Sequence, residues 1–218
     1  VEADTTLGAR RTARVMGCDA SILVTGERTG PSEAVTLANV GIARLRELER
    51  RWSRFEGDSE ISRLNAADGA PLQVSGDTVH LVEAMVRAWY ATEWAFDPTL
   101  LAALVGLGYA ASRDDESKRT SPAPSTSLRG RPDEILVDVR ASVVQLPPGT
   151  ALDAGGIGKG LAADVVACEL VDAGAGGVIV EVGGDLRVAG AAPRGEPWQI
   201  ELDPCRDGTD GRRVQVCA

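Results

Sequence analysis

The stretch Leu152-Asp153-Ala154-Gly155-Gly156-Ile157-Gly158-Lys159-Gly160 constrains this chain more than any other. Its glycines let the backbone turn sharply and approach a ligand closely, and the apolar-periodic run over residues 161–171 reads as a helix. The first N–H groups of that helix have no partner inside it and point back into the glycine loop. Lys159 adds a cation beside them, and Asp153 offers an acceptor for a ligand N–H or hydroxyl, or a link to a metal. The combination suits a phosphate group. The pattern matches neither GxGxxG nor GxxxxGK(S/T), and the same glycines also suit a bare strand-to-helix turn; spacing alone is compatible with both.

A chain of 218 residues, 44% hydrophobic and 25% charged, is long enough to bury a substantial core. Its net charge of −9 disfavours a nucleic-acid or anionic-membrane partner, since either needs a basic face. A phosphorylated small molecule needs only local donors and stays admissible. Cys18, Cys168, Cys205 and Cys217 lack CxxC spacing and read as ordinary thiols. No apolar stretch approaches the ~20 residues of a membrane span. The first thirty residues lack a signal peptide's layout, which a cytoplasmic protein and a trimmed exported one share.

In chain order, residues 14–25 read as one strand with Met16-Gly17 near an end. Gly30-Pro31-Ser32-Glu33 starts a helix whose apolar stripe is Leu37, Val40, Leu45, Leu48 and Trp52. Asp58 is placed to cap a short helix carrying Ile61 and Leu64, which leaves Phe55 in a loop, either as a lid on the core or as a stacking face. Ser75 caps a third helix that buries Val79, Val82, Met85, Val86 and Trp89, with His80 in its first turn as a surface or packing residue. Pro98 opens a short apolar helix through Leu104, with Asp97 as cap or as ligand contact. Residues 111–133 are polar and low in complexity, as in a surface excursion or a mobile linker. Residues 135–139 and 143–146 form a hairpin, and Pro147-Pro148-Gly149 leads into a short strand before the glycine loop. Strands follow at residues 178–182, 186–189 and 198–202. The last apolar run, residues 214–217, has no turn after it, as expected of a piece of a longer protein.

Five separated stretches together carry a resemblance. They are Met16-Gly17 with the strand after it, residues 52–65 (close to F-S-x-Y-x-x-x-S-E-(L/I)-S-x-L-N), and Ala95-Phe96-Asp97-Pro98-Thr99. Leu152 through Gly160 with Ala163-Asp164, and Val180-Glu181-Val182-Gly183-Gly184-Asp185, complete the set. In this order the chain resembles the FAD:protein FMN transferases, the ApbE family of flavinyltransferases.

The resemblance implies an α+β fold, with mixed or antiparallel sheets and packed helices. It divides into residues 1–110 with FAD-lining loops, the excursion at 111–133, and residues 134–218 with hairpin, glycine loop and terminal strands, all acting as one functional unit. It implies FAD and a divalent metal, usually Mg²⁺, as ligands. FAD would be cut at its pyrophosphate and FMN passed to a Thr or Ser hydroxyl of a partner protein, with release of AMP. Alternatives within the resemblance are hydrolysis of FAD to FMN and AMP, and flavin binding or carriage without catalysis. Carried over by motif, Met16, Phe55, Ala95, Phe96, Asp97, Asp153 and Lys159 would line FAD, Asp153 and Lys159 would serve catalysis, and the Gly156 carbonyl would bind metal. Phe55 replaces the family's usual Tyr, keeping a stacking face without the hydroxyl, and Cys18 replaces a common Thr. The family's further metal ligands, an Asp and a Thr or Ser, follow an S-H-I-I-D-P-R-T-G-like segment that these 218 residues do not contain.

Overall fold

The computed structural model describes residues 8–26, 29–112, 115–120, 130–193, 197–202 and 212–216, the side chains of residues 202, 212 and 213 excepted. Cys205 and Cys217 lie outside them, as does much of the polar excursion. The chain divides into two compact units, with boundaries on either side of residues 16–18 and within two of its helices.

The first unit comprises residues 1–15, 19–45 and 162–218. Its main sheet has the order β1-β2-β6-β7, from strands β1 (Gly8–Val15), β2 (Cys18–Thr25), β6 (Gly177–Val182) and β7 (Asp185–Gly190). The single strand expected over residues 14–25 is thus two strands. Met16 and Gly17, with φ of 54° and 71°, form a two-residue turn of the kind that matches strand twist, so the chain reverses where its composition reads as continuous strand. β6 runs antiparallel to β2, with Ala20 opposite Val182, and to β7, with Val182 opposite Asp185 across the Gly183-Gly184 turn. Ile22, Val24, Val178, Val180 and Val182 are buried, the inward set of this sheet.

Helix α1 (Pro31–Trp52) begins where Gly30-Pro31 signals it, with the Ala34 N–H bonded to the Gly30 carbonyl. Leu37, Leu45, Leu48 and Trp52 are buried as expected, whereas Val40 is 53% exposed, because Ala34, Ala38 and Ile42 complete the inner stripe instead. A Cβ on Gly41 would stand 2.5 Å from Ile22 Cδ1 and 3.0 Å from Leu170 Cδ1, so this glycine permits close packing with β2 and helix α5 (Gly158–Asp172). Arg44 locks that packing through a bidentate pair with Glu169, both bonds near 3.0 Å. α5 ends in a Schellman motif: Ala175 N–H bonds Leu170 O, Gly174 N–H bonds Val171 O, and Gly174 takes φ +105°. The final run, β9 (Arg212–Val216), is not solitary. It pairs antiparallel with β8 (Trp198–Leu202), and Trp198, buried, donates its indole N–H to Gly190 O at 3.2 Å.

The second unit comprises residues 16–18 and 46–161. Helices α2 (Glu60–Ala66), α3 (Gly76–Ala91) and α4 (Leu101–Gly106) accompany a three-stranded sheet of order β3-β5-β4. Strands β4 (Leu136–Asp138) and β5 (Val143–Gln145) make the expected hairpin, and β3 (Leu72–Gln73) adds a strand too short to show a sequence period. Ile61, Leu64, Leu81, Val82, Met85, Leu101 and Leu152 are fully buried here, while Val86 is only half-buried and His80 is exposed.

Three local expectations are corrected. Ser59, not Asp58, caps α2, since its hydroxyl accepts from Ser62 N–H at 3.0 Å. Asp97 does not cap α4, which starts after Leu100 with no side-chain cap. Residues 150–154 form no strand, because their backbone bonds go to a side chain and a loop, as detailed next.

Candidate functional site

α1 runs out at Trp52, and the turn after it is pinned through Ser53. The Ser53 carbonyl accepts from Ser59 Oγ at 2.6 Å, and Phe55 N–H donates to Ser53 Oγ at 3.3 Å. Within this turn the Arg54 guanidinium lies over the Phe55 ring, 4.3 Å from its centroid. Arg54 is 12% exposed and Asp153 11%, and Arg54 Nε meets Asp153 Oδ2 at 2.8 Å. Its other nitrogens donate to Thr120 Oγ1 at 2.6 Å and to the Tyr109 carbonyl at 2.8 Å. Burial pushes the Arg54 pKa below its ordinary value, and the Asp153 carboxylate pulls it back up.

Asp153 is reached from three sides. The amide of Asn65, buried at the end of α2, acts as a substitute strand for the preceding residue, donating to Leu152 O at 2.9 Å and accepting from Leu152 N–H at 2.7 Å. Asp153 N–H donates to Pro98 O at 2.8 Å, and Asp153 Oδ1 accepts from Gly155 N–H at 2.5 Å. The bonds that a strand would have made are therefore supplied by Asn65 and Pro98.

The Pro98 loop follows α3. Glu93 and Trp94 both take positive φ, 49° and 72°, which non-glycine residues seldom adopt, and Phe96 N–H then bonds Thr92 Oγ1 at 2.9 Å. Asp97 Oδ1 accepts from Thr99 N–H at 2.9 Å and Thr99 Oγ1–H at 2.6 Å, an Asx turn that shapes this loop. Thr99 Oγ1 also accepts from Gly130 N–H at 3.0 Å. A Cβ on Gly156 would lie 2.8 Å from Phe96 Cε2, so the Phe96 ring lies against this glycine and a side chain there would have to displace it.

The helix claims part of the expected loop. Gly155, Gly156 and Ile157 form a turn, and α5 already includes Gly158, Lys159 and Gly160. Ile157 and Gly158 N–H turn back to Ala154 O, at 3.2 and 2.7 Å, while Leu161 N–H to Ile157 O begins the helical ladder. The Lys159 and Gly160 N–H groups are left as first-turn donors without an intrahelical acceptor. Lys159 sits in that turn, half-buried, and its ammonium has no ion-pair partner among the described residues.

The structure thus brings together Phe55, Phe96, the Asp97 turn, Asp153 and Gly156. Lys159 joins them through the helix start. Ala95 is exposed beside Phe96, and Met16 is held by its N–H to Glu49 Oε1 at 2.7 Å, one helical turn before Ser53. Arg54, Asn65 and Thr99 escaped the sequence reading. Arg54 carried a usable signal, an arginine beside a loop aromatic, whereas the partner of Asn65 lies 87 residues away and no local pattern encodes it.

The Gly156 carbonyl lies outside the α5 ladder, which begins with Leu161 N–H to Ile157 O. Among the described residues no group of three or more His, Cys, Asp or Glu is placed to hold a metal. One carbonyl falls well short of the oxygen shell that Mg²⁺ takes, so these residues do not by themselves fit that ion.

A family model described as "ApbE family" matches residues 16–217. The FAD:protein FMN transferase of Haemophilus influenzae is 28% identical over 206 residues, covering 90% of this chain and 56% of that protein. That of Vibrio cholerae is 29% identical over 192 residues, covering 87% of this chain and again 56% of the relative. The chain spans little more than half the length of these curated relatives. The solved apo structure of the flavinyl transferase ApbE of Pseudomonas stutzeri superposes with a TM-score of 0.75 at 24% identity, over 95% of this chain and 66% of that one, which shows the α+β fold.

Proposed function

The chain belongs to the ApbE family, and from that premise we propose that its second unit binds FAD and serves FMN transfer to a Thr or Ser hydroxyl of an acceptor protein. In that reaction the hydroxyl oxygen forms a bond to the FMN-side phosphorus, the pyrophosphate P–O bond breaks, and AMP leaves. The observation carrying the reading is the convergence of three sequence-distant loops, at Phe55, Phe96 and Asp153, on the glycine turn that opens α5. Phe55 and Phe96 offer faces to a planar ring. The Lys159 ammonium and the free N–H groups of the first helical turn offer charge and donors to a pyrophosphate. Met16, Ala95 and Asp97 extend the lining. Magnesium is the divalent ion this reading implies; the Gly156 carbonyl would give it one oxygen, the described residues do not complete its shell, and no step is derived through it.

The test is titration of the chain with FAD, with and without Mg²⁺, following AMP in the same samples. FAD binding is expected, and AMP release with an acceptor present would separate transfer from binding alone, while AMP release without one marks hydrolysis. Lys159→Ala is expected to weaken FAD binding about tenfold or more, the scale of one charge-assisted contact. Since Lys159 makes no ion pair among the described residues, stability should change by less than about 0.5 kcal/mol. Unaltered affinity in this variant would remove Lys159 from the site, and absence of FAD binding by the parent chain would overturn the function.

A further inference from the structure

We propose that Arg54 is a positioning residue of this flavin site, setting the Asp153 carboxylate against the glycine turn and backing the Phe55 ring. The inference rests on the FAD-binding reading above. One guanidinium acts in three directions: Nε to Asp153 Oδ2 at 2.8 Å, Nη1 to Thr120 Oγ1 at 2.6 Å, and Nη2 to Tyr109 O at 2.8 Å. Its Cζ lies over one face of the Phe55 ring, 4.3 Å from the centroid, and in the proposal the opposite face takes the flavin ring. Because Asp153 Oδ1 is bonded to Gly155 N–H, fixing Oδ2 fixes the whole carboxylate and, through it, the entry to the α5 turn.

The arrangement is specific to arginine. A lysine could reach Asp153 as a point charge, yet it has no planar fork to hold Thr120 and Tyr109 while lying on a ring. Arg54 also gathers three parts distant in sequence: the turn after α1, the stretch that carries Tyr109 and Thr120, and the glycine turn. The Lys118 pair with Glu56 ties the second of these to the first again. Arg54 is therefore assigned to organising the site, with Asp153 and Phe55 as the groups through which it acts.

The experiment measures FAD affinity, quenching of flavin fluorescence on binding, and thermal midpoint for the parent chain, R54A, R54K, D153A and R54A/D153A. R54A is expected to bind FAD roughly tenfold more weakly, with reduced quenching, and R54K to fall between it and the parent. In the D153A background, loss of Arg54 should weaken binding by a clearly smaller factor than in the parent, since the part routed through Asp153 is gone and only the backing of Phe55 remains. Independent multiplication of the two single effects would overturn the proposal, as would parent-like affinity and quenching in R54A. If R54A does not fold, R54K and the double variant, which leaves no unpaired buried charge, decide the matter on the same readouts. A parent chain that binds no FAD overturns the function and this assignment together. A parent that binds, with R54A unchanged, overturns this assignment alone.

Discussion

Both carboxylate oxygens of Asp153 are occupied within the protein, one by Gly155 N–H and one by Arg54, and this changes what its removal should do. Sequence alone marks Asp153 as an acceptor for a ligand or a link to a metal. The structure adds a nearly buried arginine that would be left without its counter-charge, a change that costs more than a lost surface pair. Asp153→Ala is accordingly expected to lower stability by about 2 kcal/mol, and Asp153→Asn, which keeps an acceptor for Gly155, by less. Urea unfolding measures both, and identical midpoints for the parent and the alanine variant would show that the pair contributes nothing. Lys159 stands in contrast, since its loss should be silent in unfolding and visible in binding.

At the scale of elements, helix starts divide into those legible locally and those settled by neighbours. Ser75 was legible: it caps α3, accepting from Thr78 N–H at 3.3 Å. The structure shows that Glu60, first residue of α2, also receives the Ser75 N–H at 3.0 Å, the Ser75 hydroxyl at 2.6 Å and the Thr78 hydroxyl, so one carboxylate joins two helix starts. Ser75→Ala removes the cap and one partner of Glu60, and a loss of about 1.5 kcal/mol in thermal or urea unfolding is expected. A change below a few tenths would mean that Glu60 alone suffices. The choice between Asp58 and Ser59 was not legible, because both are good caps. The Ser53 carbonyl decided it by taking the Ser59 hydroxyl. Likewise Asp97 reads as a cap, and the chain instead uses it in an Asx turn, since Thr99 lies within reach of its carboxylate before α4 begins.

At the scale of the whole molecule, every proposed flavin residue lies in the second unit, while the β1-β2-β6-β7 sheet belongs to the first. FAD is therefore expected to slow amide hydrogen exchange at residues 53–59, 95–99 and 153–160 and to leave the β6–β7 hairpin unchanged. Equal protection of both would contradict a site confined to one unit. The sequence by itself determined the α+β content, most helix and strand positions and the motifs that mark the family, because periodicity, caps and glycine turns are local properties of the chain. It placed Phe55, Asp97, Asp153 and Lys159 in one prospective site only through their resemblance to a family. Tertiary structure alone decided the reversal at Met16-Gly17, the pairing of β8 with β9, the replacement of a strand before Asp153 by Asn65 and Pro98, and the role of Arg54. Each depends on partners many residues apart, whose hydrogen-bonding and charge requirements are met only when the folded chain brings them together.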